Sequence, residues 1–349
     1  MDIKSLLGTR ILLTGHTGFK GYWLSRILLN LGVQVSGISL PPEKDSLFER
    51  FGDQHFEMSE FHDIRDFEAI KKAINRIRPD AVIHMAAQPL VLRSYREPLF
   101  TFQTNVLGTA NLLDISRGLE CIKAVVVVTS DKVYKNLETG QAYVEEDSLG
   151  GKDPYSASKS ATEMVVRAWQ NLWQLDSKQV VVSARAGNII GGGDHSENRL
   201  MPDLVRSFKS GIPAILRNPD AVRPWQHVID PLFGYIALVS ALLKNQRTSN
   251  SYNFGPSIDS RYTVRQLADF ACREWGSGAS WVHRKSNEEL QESKLLCLDS
   301  SQASRELDWK VKLDAHNAVR WTVEWERANL KNNSISIIDD QINNFLDLT

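Results

Sequence analysis

Tyr155 and Lys159 stand four residues apart in Tyr155-Ser-Ala-Ser-Lys159, and on a helix that spacing puts a phenol and an ammonium on one face. A cation beside a phenol favours the phenolate, so Tyr155 can take the proton of a hydroxyl while hydride leaves the carbon that bears it. So short a pattern also arises by accident in a chain with eight tyrosines, and its position is what gives it weight. It opens a helical stretch directly after Gly150-Gly-Lys-Asp-Pro154. A second cluster, Thr129-Ser130-Asp131-Lys132-Val133-Tyr134, continues from four consecutive valines at 125–128. It places a hydroxyl, a carboxyl and an amine at the carboxyl end of a strand, where ligands of parallel sheets bind. An ordinary turn with Asp131 capping a helix is the other reading. A third, Gly15-His-Thr-Gly-Phe-Lys-Gly21, is a G-x-x-G-x-x-G loop between a strand and an amphipathic helix. Glycines there allow a tight turn and let backbone N–H groups reach a pyrophosphate at the helix N-terminus. Gly15, Thr17, Gly18, Phe19, Lys20 and Gly21 are therefore cofactor-binding candidates.

Elements able to position these clusters are readable in the hydrophobic pattern. Strands are expected at 10–13, 33–38, 81–85, 124–129 and 180–184. Helices are expected behind the glycine loop up to Gly32, and at 67–77, 104–116 and 156–169. Strand and helix alternate, and the strands are continuously apolar, which means a parallel sheet covered on both faces. The fold class is thus α/β: a doubly wound Rossmann sheet with a smaller mixed α/β substrate-binding region. Residues 1–189 form the dinucleotide-binding part. Residues 190–349 are mainly substrate-binding, interleaved with late strands of the main sheet. Asn253-Phe-Gly-Pro256 is read as a turn. In the tail Ile335, Ile338, Ile342 and Phe345 fall at helical spacing and predict a helix packing back.

Composition limits the function classes. The chain has 349 residues with 41 basic and 42 acidic side chains. Balanced charge argues against a general nucleic-acid binder. No run of 18 apolar residues is long enough to span a membrane, and residues 1–10 are too polar for a signal peptide. Cys121, Cys272 and Cys297 are odd in number and widely spaced, as expected of buried thiols in a reducing compartment. The histidines show no metal-ligand spacing. A cytoplasmic chain without a metal is the expectation.

The loop and the Y-x-x-x-K spacing resemble the extended short-chain dehydrogenase/reductase family. Within it, Ser130-Asp-Lys132 resembles the sugar-nucleotide 4,6-dehydratases, whose CDP-glucose branch reads Ser-Asp-Lys where others read Thr-Asp-Glu. Thr14-Gly-His-Thr-Gly-Phe-Lys-Gly21, His84-Met-Ala-Ala-Gln-Pro-Leu-Val91, Arg185-Ala-Gly-Asn188 and Arg223-Pro-Trp-Gln-His227 extend the likeness over nearly the whole chain. The segment 136–146 and His195 depart from it, lacking tryptophans. The resemblance implies NAD as cofactor. Asp63 and Ile64 would lie at the adenine, Ala86, Ala87 and Gln88 along ribose and pyrophosphate, and Asn105 would buttress the loop. Locally, Asp63 reads equally as a helix cap. The second strand ends Gly37-Ile-Ser-Leu-Pro41, with neither an acid for a ribose hydroxyl nor an arginine for a 2′-phosphate; NAD is favoured over NADP. A homodimer or homotetramer with the Tyr155 helix at its interface is also implied.

Arg185, Asn188, Arg199, Arg223 and His227 are the substrate-binding candidates, since guanidinium forks suit phosphate oxygens. His227 reads as well as a core histidine, and Trp225 as core packing or base stacking. The expected reaction is redox-neutral dehydration of CDP-glucose, with Tyr155, Lys159 and Ser130 serving oxidation at C4 and Asp131 and Lys132 the elimination. A 4-epimerase or reductase of the same fold needs no such elimination pair. A non-catalytic NAD-bound regulator is the alternative from another class.

Overall fold

Successive valines of the 124–128 strand point to opposite sides, as a pleated strand requires. Ala124, Val126 and Val128 enter one apolar core and Val125 and Val127 another. A computed structural model describes residues 3–52, 55–138, 140–176, 179–246, 248–257, 261–284, 296–331 and 334–348. Its main sheet contains β1 (Arg10–Thr14), β2 (Gln34–Ser39), β3 (Met58–Phe61), β4 (Ala81–His84), β5 (Ala124–Val128), β6 (Val180–Ala186) and an edge strand, Ser251–Phe254. The spatial order is edge, β6, β5, β4, β1, β2, β3, with every pairing parallel. The order reverses between β1 and β4, which opens a crevice at their carboxyl ends.

Helices cover both faces. Helix α1 (Phe19–Asn30), Ile229–Leu243, Ala315–Asn329 and the tail helix Ser334–Asp347 pack on one side. Phe67–Ile77, Gly108–Arg117 and Pro154–Asp176 pack on the other. The later residues add three two-stranded pairings and a core of their own around Leu204, Phe208, Leu267 and Val319.

Three expectations are corrected. Asn253 and Phe254 belong to the edge strand, with Asn253 paired beside Arg185; the Gly-Pro that follows made a short strand look like a turn. The expected 104–116 helix is the end of a longer run, Pro98–Phe102, then a π-helical turn Gln103–Leu107, then Gly108–Arg117. The Tyr155 helix extends over Pro154–Asp176, well past Trp169. Its start is set by Asp153, whose Oδ1 accepts from the Ser156 N–H at 2.9 Å, and by Pro154 in the first turn.

Among the described residues, no helix is long and apolar enough to cross a membrane, and no group of three or more His, Cys, Asp or Glu could hold a metal ion. The tail does pack back: Ile338, Ile342 and Phe345 are buried, and Phe345 stacks on Phe233 with ring centroids 4.8 Å apart. Phe345→Ala is expected to lower stability by about 3–5 kcal/mol. Urea unfolding should show a lower midpoint at unchanged slope; an unchanged midpoint would mean that the tail adds nothing to the core.

Candidate active site

At the end of β1 the chain turns on Gly15, whose φ is +78°, and a Cβ there would sit 2.9 Å from the Ala86 nitrogen. A Cβ on Gly21 would come within 2.1 Å of the Gly15 carbonyl oxygen, so helix and loop touch backbone to backbone. Gly18 caps α1 without a side-chain hydrogen bond, and no acidic residue lies in the first turn. The donors at this helix start are left for an anion. That open end, with no Cβ in the way, fits a dinucleotide pyrophosphate held by Gly15, Thr17, Gly18, Phe19, Lys20 and Gly21. Thr17 ties the loop to β2: its Oγ1 lies 2.7 Å from Ser39 Oγ and donates to the Leu40 carbonyl at 3.1 Å. His16 is buried among Phe48, Phe56 and Phe61, over Gly37, where a Cβ would strike its ring at 2.3 Å.

Asp63 follows β3 and pairs with Arg65 at 2.6 Å, which holds its carboxyl below the usual range. It caps no helix; Asp66 does, accepting from the Ala69 N–H. Ile64 is buried and meets the Gly108 backbone, where a Cβ would be 2.6 Å away. Ala86, Ala87 and Gln88 follow β4 at the crevice. Asn105 is bonded to this stretch: its Oδ1 accepts from the Gln88 N–H at 2.8 Å and its Nδ2 donates to Gln88 O and to Ser158 Oγ.

Ser130 lies two residues beyond β5 and caps a 3-10 turn, Asp131–Val133. Its Oγ donates to Asp131 Oδ1 at 2.9 Å and accepts from the Lys132 N–H at 3.2 Å. Asp131 is buried, and burial pushes its carboxyl up, with Lys132 opposing. Gly187 lies against it; a Cβ there would be 2.7 Å from Asp131 Oδ2. Lys132 is half-buried beside it. Tyr155 is buried, and burial pushes its phenol up to about 12, with the Ser130 hydroxyl opposing. The expectation that a neighbouring cation brings the phenol down is therefore not met: burial leads, and Asp131 and Asp153 push the same way. Lys159 itself is pushed down to about 8 by burial, and its Nζ donates to the Val128 carbonyl at 3.3 Å. Lys20 reaches the same centre from the loop, donating to Tyr235 Oη at 3.1 Å, and burial beside Lys159 and Arg199 brings it down to about 7.

Arg199 pairs with Asp194 at 3.1 Å and acts electrostatically on Tyr155 and Lys20. Arg223 acts on Asp131. Asn188 is half-buried after β6, its carbonyl accepting from the Gln226 N–H. Two candidates are displaced from this group. Arg185 is fully buried and spent within the protein, with Nη2 on Glu163 Oε2 at 2.7 Å and Nη1 on Tyr134 Oη and the Glu145 carbonyl. His227 is also fully buried, edge-on to Trp23 and Trp321, so it touches no nucleotide. Trp225 packs in the second core. The sequence reading names Lys20 for the cofactor and not for this group beside Tyr155 and Lys159, and it does not single out Glu163, for which the Lys159-to-Glu163 spacing, again four, is the available signal.

The family model described as GDP-mannose 4,6 dehydratase matches residues 12–322. The chain belongs to that family. Within the GDP-mannose 4,6-dehydratase family it is similar to the CDP-glucose 4,6-dehydratase of Salmonella typhimurium, 41% identical over 337 residues that cover 95% of this chain and 94% of the relative. A solved dTDP-glucose 4,6-dehydratase from Streptomyces venezuelae, crystallised with NAD, superposes with a TM-score of 0.80 at 26% identity, covering 92% of this chain and 98% of that one. A UDP-glucose 4-epimerase from Thermotoga maritima shares the fold, with a TM-score of 0.79 at 21% identity over 92% of this chain and 99% of that one.

Burial holds His227 down to about 3, against about 6.5 when unfolded. Between those values the unfolded chain binds a proton that the folded one does not, so stability falls as pH falls through that window. His227→Phe keeps the ring and removes the proton site. From pH 7 to 5 it is expected to lose about 2 kcal/mol less stability than the unaltered protein. Urea titrations at both pH values check this; equal losses would contradict it.

Proposed function

We propose that this chain dehydrates CDP-glucose to CDP-4-keto-6-deoxyglucose in a redox-neutral, NAD-dependent reaction. The observation that carries the reading is the Ser130-Asp131-Lys132 turn, set beside Tyr155 with Asp131 held towards its protonated form by burial. A 4-epimerase needs Tyr155 and Lys159 but no acid and base for elimination. The likeness to the Salmonella relative supports the CDP-glucose reading.

In this reading Tyr155 takes the 4-hydroxyl proton, Ser130 hydrogen-bonds the 4-oxygen, and Lys159 favours the phenolate. Bound NAD supplies the hydride acceptor at C4 and returns the hydride at C6. The C4 ketone acidifies C5; Lys132 accepts that proton and gives it back to C5 as the hydride reaches C6, and Asp131 donates one to the departing 6-hydroxyl, which leaves as water; the proton that Tyr155 took from the 4-hydroxyl balances the one Asp131 gave. The net change is loss of one water. Arg199, Arg223 and Asn188 hold the sugar diphosphate in this reading, and Asp63, Ile64, Ala86, Ala87 and Gln88 the adenosine half of NAD. Residues 1–189 thus carry mainly the cofactor and later residues mainly the substrate. NAD rather than NADP is supported by Ser39 and Leu40, which offer no cation for a further phosphate. A homodimer or homotetramer through the Tyr155 helix is supported by exposed Leu99, Leu107 and Met164. A reducing, cytoplasmic setting suits the three free cysteines.

CDP-glucose is expected to give a higher kcat/KM than dTDP-, UDP- or GDP-glucose; an equal or better value with another would overturn the nucleotide assignment. Lys132→Ala and Asp131→Asn should still form enzyme-bound NADH and release product about 10²–10⁴-fold more slowly. Exchange of the C5 hydrogen with solvent deuterium should fail in the Lys132 variant and survive in the Asp131 variant. Normal exchange without Lys132 would place the base elsewhere.

A further inference from the structure

Tyr155, Lys159 and Glu163 follow one another at four-residue spacing along one face of the Pro154–Asp176 helix. Glu163 is buried and saturated: Oε1 accepts from Thr129 Oγ1 at 2.5 Å, and Oε2 from Ser183 Oγ at 2.8 Å and Arg185 Nη2 at 2.7 Å. Lys159, one turn earlier, is as deeply buried, and its Nζ donates to one neutral oxygen, that of Val128. The titratable groups facing Lys159 are Tyr155 and Glu163 on its own helix, His84 on β4 and Lys20 on α1. His84 is held neutral by burial, and Lys20 carries the same sign as Lys159. Glu163 is the anion of this set, and Arg185, from the far side on β6, keeps it ionised.

We propose that Glu163 is a positioning residue for the oxidation step, holding Lys159 as an ammonium and fixing, through Thr129, the strand end that presents Ser130 to Tyr155. It touches neither substrate nor cofactor. A buried amine with a single neutral acceptor gives up its proton readily, and a carboxylate one turn away opposes that loss. The direction agrees with the charges: Glu163 raises Lys159 against the burial that lowers it. Arg185 matters here as the partner of Glu163 rather than as a phosphate ligand.

The proposal rests on the dehydratase reading for its kinetic consequence and not for its electrostatic one, so two arms test it. In the substrate-free protein, lysine ε-carbon NMR, with Lys159 assigned by its loss in Lys159→Met, should show Lys159 titrating near 8 and about one unit lower in Glu163→Gln. Glu163→Asp keeps the charge and should restore most of the shift. Because Glu163→Gln strands Arg185 as a buried cation, the Glu163→Gln/Arg185→Met double variant is measured too, and the same fall is expected. In the second arm, single-turnover NADH formation with CDP-glucose should lose rate on its alkaline side about one pH unit earlier in the Gln variants, about fivefold slower near pH 8. Unmoved Lys159 titration in either folded Gln variant would overturn the proposal, and so would a kinetic limb that stays in place while melting temperature falls. No NADH formation by the unaltered protein would instead overturn the dehydratase reading, leaving the NMR arm to decide on Glu163.

Discussion

Glu163 and Arg185 meet as a fully buried ion pair, and four separate parts of the chain close on it. Thr129 and Ser183 hydroxyls reach the carboxylate from β5 and β6. From Arg185 the chain of bonds runs to Tyr134 Oη, then from Tyr134 Oη to Asn253 Oδ1 at 2.7 Å in the edge strand, while the Glu145 carboxylate accepts from the Asn253 N–H. The Tyr155 helix, the end of β5, the loop after Ser130 and the edge strand are thereby set against one another. Such a pair adds little net stability over a well-packed apolar substitute, but removing one partner alone costs about 3–5 kcal/mol. What it provides is placement.

A second buried polar chain does the same for the cofactor side. Thr14 Oγ1 lies 2.6 Å from His84 Nδ1, His84 Nε2 lies 2.9 Å from Thr109 Oγ1, and Thr109 donates to the Asn105 carbonyl. Asn105 then reaches Ser158, whose hydroxyl donates to the Tyr155 carbonyl at 2.7 Å. The π turn at Gln103–Leu107 lets Asn105 face Gln88 and Ser158 at once. Every member is paired, as a buried network must be. The end of β1 and the Tyr155 helix are registered through these contacts.

The sheet strands and the two motif clusters were legible because their signals are local: continuous valines, glycine spacing, and four-residue intervals on a helix. What escaped depends on partners distant in sequence. Arg185 looked like a phosphate ligand because its counter-ion lies 22 residues away on another element. His227 stayed open between a nucleotide contact and a core histidine because the tryptophans that enclose it come from residues 23 and 321. The edge strand was hidden by its length of four residues. The rise of Tyr155 could not be read from a nearby lysine, because the extent of burial is a property of the packed site.

Deuterium placed at C4 of CDP-glucose follows the hydride itself. If Tyr155, Ser130 and Lys159 serve a reversible oxidation and Asp131 and Lys132 an elimination within one closed site, the label removed from C4 returns to C6 of the same molecule. Mass spectrometry and NMR of the product should then find deuterium at C6, with no net NADH formed during steady turnover. A mixture of labelled and unlabelled substrate should yield no crossover. Deuterium accumulating in free NADH, or a product carrying it at C4 alone, would contradict dehydration and leave a dehydrogenase or an epimerase in its place.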